Sequence, residues 1–65
     1  MIKLKKIRTE KGLTQKQLAD KADVHIRMIQ NYEGGQRNIN GAAVLTIYRL
    51  AKVLECDMED LIEFE

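Results

Sequence analysis

The chain has 65 residues, 45% of them apolar and 32% charged, with eleven Lys and Arg against ten Asp and Glu. At this length one small domain is expected, burying only about 60% of its unfolded surface, so every element must contribute to one core. One Cys excludes an intramolecular disulfide, and one His with one Cys leaves nothing from which to assemble a catalytic constellation or a metal-ligand cluster.

Neither an enzyme nor a cofactor is therefore expected. No apolar run approaches the roughly 20 residues of a membrane span, and the N-terminal region lacks the apolar core of a signal peptide. With a lone thiol, these features point to the cytoplasm.

Ile2, Leu4, Ile7 and Leu13 give an apolar stripe separated mostly by lysines and closed at Gly12, which predicts a first helix over residues 2–11. Thr14 is a good N-cap, and Gln17 three residues later completes a Thr-x-x-Gln capping box, so a second helix begins near Gln15. Its inward positions are Leu18, Ala19 and Ala22, and the small side chain of Ala19 lets a following helix cross close to the backbone. Asp23 sits where the chain must reverse, and Asp is one of the few non-Gly types enriched in left-handed backbone. Val24 plugs the corner. A third helix runs from about His25 to Glu33, with Ile29 and Tyr32 inward, Ile26, Arg27, Gln30 and Asn31 outward, and Gly34-Gly35 as its C-cap. Two helices joined by so tight a turn, over about residues 14–34, usually present the second one to a DNA groove.

Beyond this unit, Asn40 is expected to cap a long helix in which Val44, Ile47, Ala51 and Leu54 recur at spacings of three and four, widened by Ala43 and Leu50. Cys56 falls within an apolar pattern and reads as a buried small hydrophobe rather than a reactive thiol. Asp57 is expected to cap a short last helix carrying Met58, Leu61 and Ile62, with Glu59 and Asp60 suiting the dipole of its first turn. The prediction is an all-α fold of five helices, with no strand, repeat or linker.

Net charge is only +1, but it is segregated. Residues 1–37 carry nine basic groups against four acidic ones, and residues 38–65 carry two against six. Solvated helix faces account for many of these charges singly and not for the asymmetry, which orients the first half toward phosphate. Arg8 and Glu33 both fall beside inward positions, where an unpaired charge costs several kcal/mol, so the two are predicted to pair.

Leu13-Thr14-Gln15-x-x-Leu18-Ala19, then Val24, then Ile29-x-x-Tyr32-Glu33-x-Gly35 and Arg37-Asn38 resemble the helix-turn-helix of phage-repressor and Cro-type regulators, the xenobiotic-response-element family. Leu50-Ala51-Lys52-Val53-Leu54, Cys56-Asp57 and Leu61 resemble that family's last two helices, so the likeness spans about residues 4–62. It implies a compact lambda-repressor-like domain, encoded by a bacterium or phage and acting at the nucleoid. It also implies a transcriptional regulator of the repressor type and an Arg8–Glu33 salt bridge tying the first helix to the end of the recognition helix. Asp23 stands where the family usually has Gly, His25 where it usually has Ser or Thr, and Ile39 where Pro is frequent. The stretch from Arg37 to Leu50 is about three residues longer than in the shortest members.

A recognition helix needs donors, acceptors and methyl-seeking groups on its outward face. Arg27 suits guanine and Asn31 adenine, and the resemblance places base contacts at the same positions. Ile26 and Met28 either pack on thymine methyls or lie partly in the core. Phosphate contacts are expected from Gln15 and Lys16 at the start of the second helix and from Gln36, Arg37 and Asn38 after the third. His25 either joins them or is an ordinary exposed helix end. One such domain buries little surface, so a homodimer on a pseudo-palindromic operator is expected, with Leu61, Ile62 and Phe64 as its candidate interface. The rival reading is a protein-interaction module on the same fold, such as an antitoxin or accessory factor.

Overall fold

The computed structural model describes residues 2–64, folded as four α-helices and two short 3-10 turns, with no strand among them. The helices are α1 (Lys3–Glu10), α2 (Gln15–Ala22), α3 (Ile26–Gly34) and α4 (Val44–Leu54); the 3-10 turns are Ile39–Gly41 and Met58–Leu61.

Local chemistry fixes most of the boundaries. Thr14 and Gln17 form a reciprocal capping box at the start of α2, with Gln17 N donating to Thr14 Oγ1 at 3.0 Å and Thr14 N donating to Gln17 Oε1 at 2.9 Å. Asp23 ends α2 in the left-handed region, φ 56° and ψ 46°, and Val24 N donates back to Ala19 O at 3.1 Å. His25 then caps α3 through its ring, Nδ1 accepting from Arg27 N at 3.2 Å. Gly35, at φ 83°, supplies the left-handed residue that closes α3 and lets Arg37 N return to Asn31 O.

The first turn of α1 has no cap from its own neighbourhood. Glu63 supplies one across the fold, its Oε2 accepting from Lys3 N at 2.7 Å. That contact draws the end of the described chain over the start of α1.

Two expectations for the second half are corrected. Asn40 does not cap the long helix, because α4 starts at Val44 with Ala43 at its N-cap position. Asn40 instead sits inside the first 3-10 turn, which is capped by Asn38, and its amide pairs with the Glu63 backbone. Nδ2 donates to Glu63 O at 2.9 Å, and Glu63 N donates to Oδ1 at 2.8 Å. The later start turns Val44 to solvent, 72% exposed, and leaves Ile47, Leu50, Ala51 and Leu54 to bury α4.

The last element is a 3-10 turn of four residues rather than a fifth α-helix. So short a segment closes i→i+3 bonds before any i→i+4 ladder can develop. Asp57 and Asp60 form a capping box at its start, Asp60 Oδ2 accepting from Asp57 N at 3.0 Å.

The core draws a fully buried side chain from each longer element. Leu4, Leu18, Ile29, Leu50, Leu54 and Leu61 have essentially no exposed surface, with Ala19, Ala22 and Ala51 filling the closest approaches. The small side chain at Ala19 permits α2 and α3 to pack closely, and α4 also packs against α2. Cys56 is half-buried against this core rather than fully inside it.

Candidate nucleic-acid interface

A buried ion pair anchors the base of α3. Arg8 Nε donates to Glu33 Oε2 at 2.7 Å and Nη2 to Glu33 Oε1 at 2.9 Å, a two-pronged pairing in which the side chains are 10% and 3% exposed. Arg8 Nη1 also donates to Leu13 O at 2.7 Å, joining the end of α1 to the approach to α2. The hydrogen bond to Glu33 pushes the Arg8 pKa above its ordinary value, while burial opposes the shift. Gln15 completes the network, donating from Nε2 to Glu33 Oε1 at 3.0 Å. Three helices are thereby locked together through one carboxylate, and no buried side-chain polar atom among the described residues lacks a partner.

With its base held, α3 turns Arg27, Gln30 and Asn31 outward, Arg27 and Gln30 exposed and Asn31 half-buried. His25, Arg27, Met28, Asn31, Tyr32 and Arg37 line one open concavity of about 500 Å³. The structure thus brings together three residues expected to read bases with one expected to hold phosphate. His25 belongs to the same rim, and Tyr32, expected to face inward, is 7% exposed and forms part of its floor. Nothing in the period-3.6 pattern distinguishes an inward Tyr that also floors a groove.

Ile26 and Met28 are half-buried and pack against the core, leaving part of each side chain on the α3 surface. Of the other expected phosphate ligands, Lys16 is exposed and pairs with Asp20 at 3.3 Å on the same helix. Exposed pairs of this kind are worth little and are released readily. Gln15 is half-buried, one amide hydrogen committed to Glu33 and the rest of the amide uncommitted. Gln36 and Arg37 are exposed in the loop after α3, and Asn38 is exposed with its side chain turned to Asn40.

The apolar C-terminal cluster is divided by burial. Leu61, expected at an interface between copies, is fully buried because it closes the core beneath α1 and α4, so it offers no surface to a partner. Ile62 is half-buried, and Phe64 is 70% exposed with Lys3 Nζ 5.1 Å from its ring centre. No group of three His, Cys, Asp or Glu side chains among the described residues could hold a metal ion. No described helix is long and apolar enough to cross a membrane.

A family model described as helix-turn-helix matches residues 4–61. No curated protein matches the chain.

Proposed function

Because this chain belongs to the helix-turn-helix family of Cro/CI-like regulators, we propose that it is a sequence-specific regulator of transcription, of the repressor type, that binds double-stranded DNA. In this reading α2 and α3 form the helix-turn-helix, and α3 enters the major groove. The observation that carries it is the concavity on α3, where Arg27, Asn31 and Arg37 converge with no carboxylate in the lining. That surface favours polyanion and offers the paired donors and acceptors that base edges require.

Arg27 donates to guanine O6 and N7, Asn31 bonds adenine N6 and N7, and the exposed parts of Ile26 and Met28 meet thymine methyls. Gln15, Lys16, Gln36, Arg37 and Asn38 grip the flanking phosphates, as the N-terminus of α2 and the loop after α3 would allow. The Arg8–Glu33–Gln15 network sets the angle of α3, so its contribution is to register. Two copies on pseudo-palindromic half-sites give useful affinity, with Ile62 and Phe64 as the remaining candidates for their contact.

A protein-interaction role on the same fold gives no reason for the segregated basic charge beside α3. Selection from a random duplex library, followed by titration at several salt concentrations, separates the two. Enrichment of one sequence with salt-dependent binding is expected; no enrichment and no salt dependence would remove the DNA reading. Within the enriched site, Arg27→Ala is expected to relax discrimination at one base pair by roughly 1–3 kcal/mol, whereas Arg37→Ala weakens all sequences alike. Identical specificity profiles for the two variants would overturn the assignment of roles.

A further inference from the structure

Three of the four exposed large hydrophobic residues among those described stand on one helix: Val44 at 72%, Leu45 at 56% and Tyr48 at 47%, with only Phe64 elsewhere. On α4, Leu45, Tyr48 and Lys52 are three and four residues apart, which puts them on the face turned away from Ile47, Leu50, Ala51 and Leu54. Lys52 Nζ lies 5.9 Å from the Tyr48 ring centre, and Arg49 borders the same face. Neither Arg49 nor Lys52 belongs to an ion pair among the described residues, and Arg49 makes only a long 3.5 Å bond to Asp23 O. These are the only two basic residues in an otherwise acidic half of the chain. Single exposed hydrophobes need no explanation, but an apolar stripe edged by uncommitted cations marks an interaction surface.

Phosphate would use Arg49 and Lys52 and leave Val44, Leu45 and Tyr48 with no apolar partner. A second copy crossing antiparallel at Tyr48 would bring each Arg49 to within about 3 Å, along the axis, of its mate. A stable homodimer would also need surface beyond this face to reach roughly 800 Å² per partner, whereas a transiently docked helix binds over less. A segment with an apolar face and flanking carboxylates satisfies both the stripe and its charge.

We propose that the outer face of α4 docks an acidic amphipathic helix from another protein, its apolar residues covering Leu45 and Tyr48 and its carboxylates meeting Arg49 and Lys52. From Val44 to Lys52 the stripe runs about 12 Å, so two to three turns of partner helix suffice. None of these residues belongs to the set assigned to DNA, so the proposal stands apart from the DNA reading.

The test is selection of a displayed library of 16-residue helical peptides against the immobilised full chain. Enriched peptides are expected to carry Leu, Ile or Phe at helical spacing with Asp or Glu beside them. Their affinity should fall at least tenfold in the Leu45→Ser/Tyr48→Ser variant, and also in Arg49→Ser/Lys52→Ser. The substituted side chains are exposed, so melting midpoints should hold, and duplex binding should be unchanged. No enrichment, enrichment without acidic residues, or binding indifferent to these substitutions would overturn the proposal. Two other results would also overturn it. Self-association lost in Leu45→Ser/Tyr48→Ser would assign the stripe to a second copy, and duplex affinity lost in Arg49→Ser/Lys52→Ser would assign it to phosphate. Failed peptide selection with intact duplex binding would leave the DNA reading standing.

Discussion

Arg8 is held by three hydrogen bonds that no other side chain in α1 could replace. Its guanidinium satisfies Glu33 at two points and Leu13 O at a third, so removing it strands a carboxylate that is 3% exposed, with Gln15 as its one remaining side-chain donor. Breaking a buried pair by deleting one partner typically costs 3–5 kcal/mol. Arg8→Met is therefore expected to lower the urea midpoint sharply, by about 3 kcal/mol of stability, while Lys5→Met on the exposed side of α1 leaves it nearly unchanged. Equal midpoints would count against the pair as a support of α3. Cys56 makes the opposite case of an inert group. Burial pushes its thiol pKa up, the carboxylates of Asp60 and Asp57 push it further, and Lys11 opposes them. Since the thiolate is the nucleophile, alkylation by iodoacetamide in the folded protein is expected to be slower at pH 8 than for a free thiol. The rate should climb only at higher pH, and a rate matching that of the urea-unfolded chain would contradict this environment.

The α2–α3 turn is legible in the sequence because its determinants are local. A capping box spans three residues and a left-handed Asp acts on its own backbone; the ring cap that His25 gives Arg27 N is equally local but is not what an imidazole at a helix start announces. Asp23 and His25 depart from the Gly and Ser or Thr of the resemblance, yet each fills the conformational or capping role its position demands. The start of α4 was not legible for the converse reason. Asn40 has the chemistry of a cap, but its amide is taken by Glu63, 23 residues away, a partner that no local pattern reveals. Leu61 shows the same limit: apolar spacing marks it as needing cover without saying whether the core or another molecule supplies it. A β-branched residue is costly in left-handed backbone, so Asp23→Val is expected to lose about 1–2 kcal/mol, whereas Asp23→Gly keeps or raises stability. In a domain of this size that loss corresponds to a fall in Tm of several degrees. A calorimetric scan in which the two variants melt together would show that the turn carries no such strain.

The molecule as a whole sets basic residues before position 38 against acidic residues after it, at a net charge near zero. Net charge alone would predict weak attraction to DNA, so the proposed binding depends on where the charge sits. Counterion release turns that into a quantity. Each phosphate neutralised by Lys or Arg contributes about −0.9 to the slope of log K against log salt, and neutral Gln and Asn contacts contribute none. If Lys16 and Arg37 are the cationic phosphate ligands, removing either should make the slope shallower by about 0.9 per bound copy. Gln36→Ala should weaken binding and leave the slope as it was. Replacing Glu59 by Gln, an exposed position in the acidic half, should change the slope little if the two halves face opposite ways. Glu63→Gln should cost stability by loosening the cap on Lys3. A slope that tracks total charge across all these variants, wherever the substitution lies, would mean that binding follows net charge and that no single face is presented to the duplex.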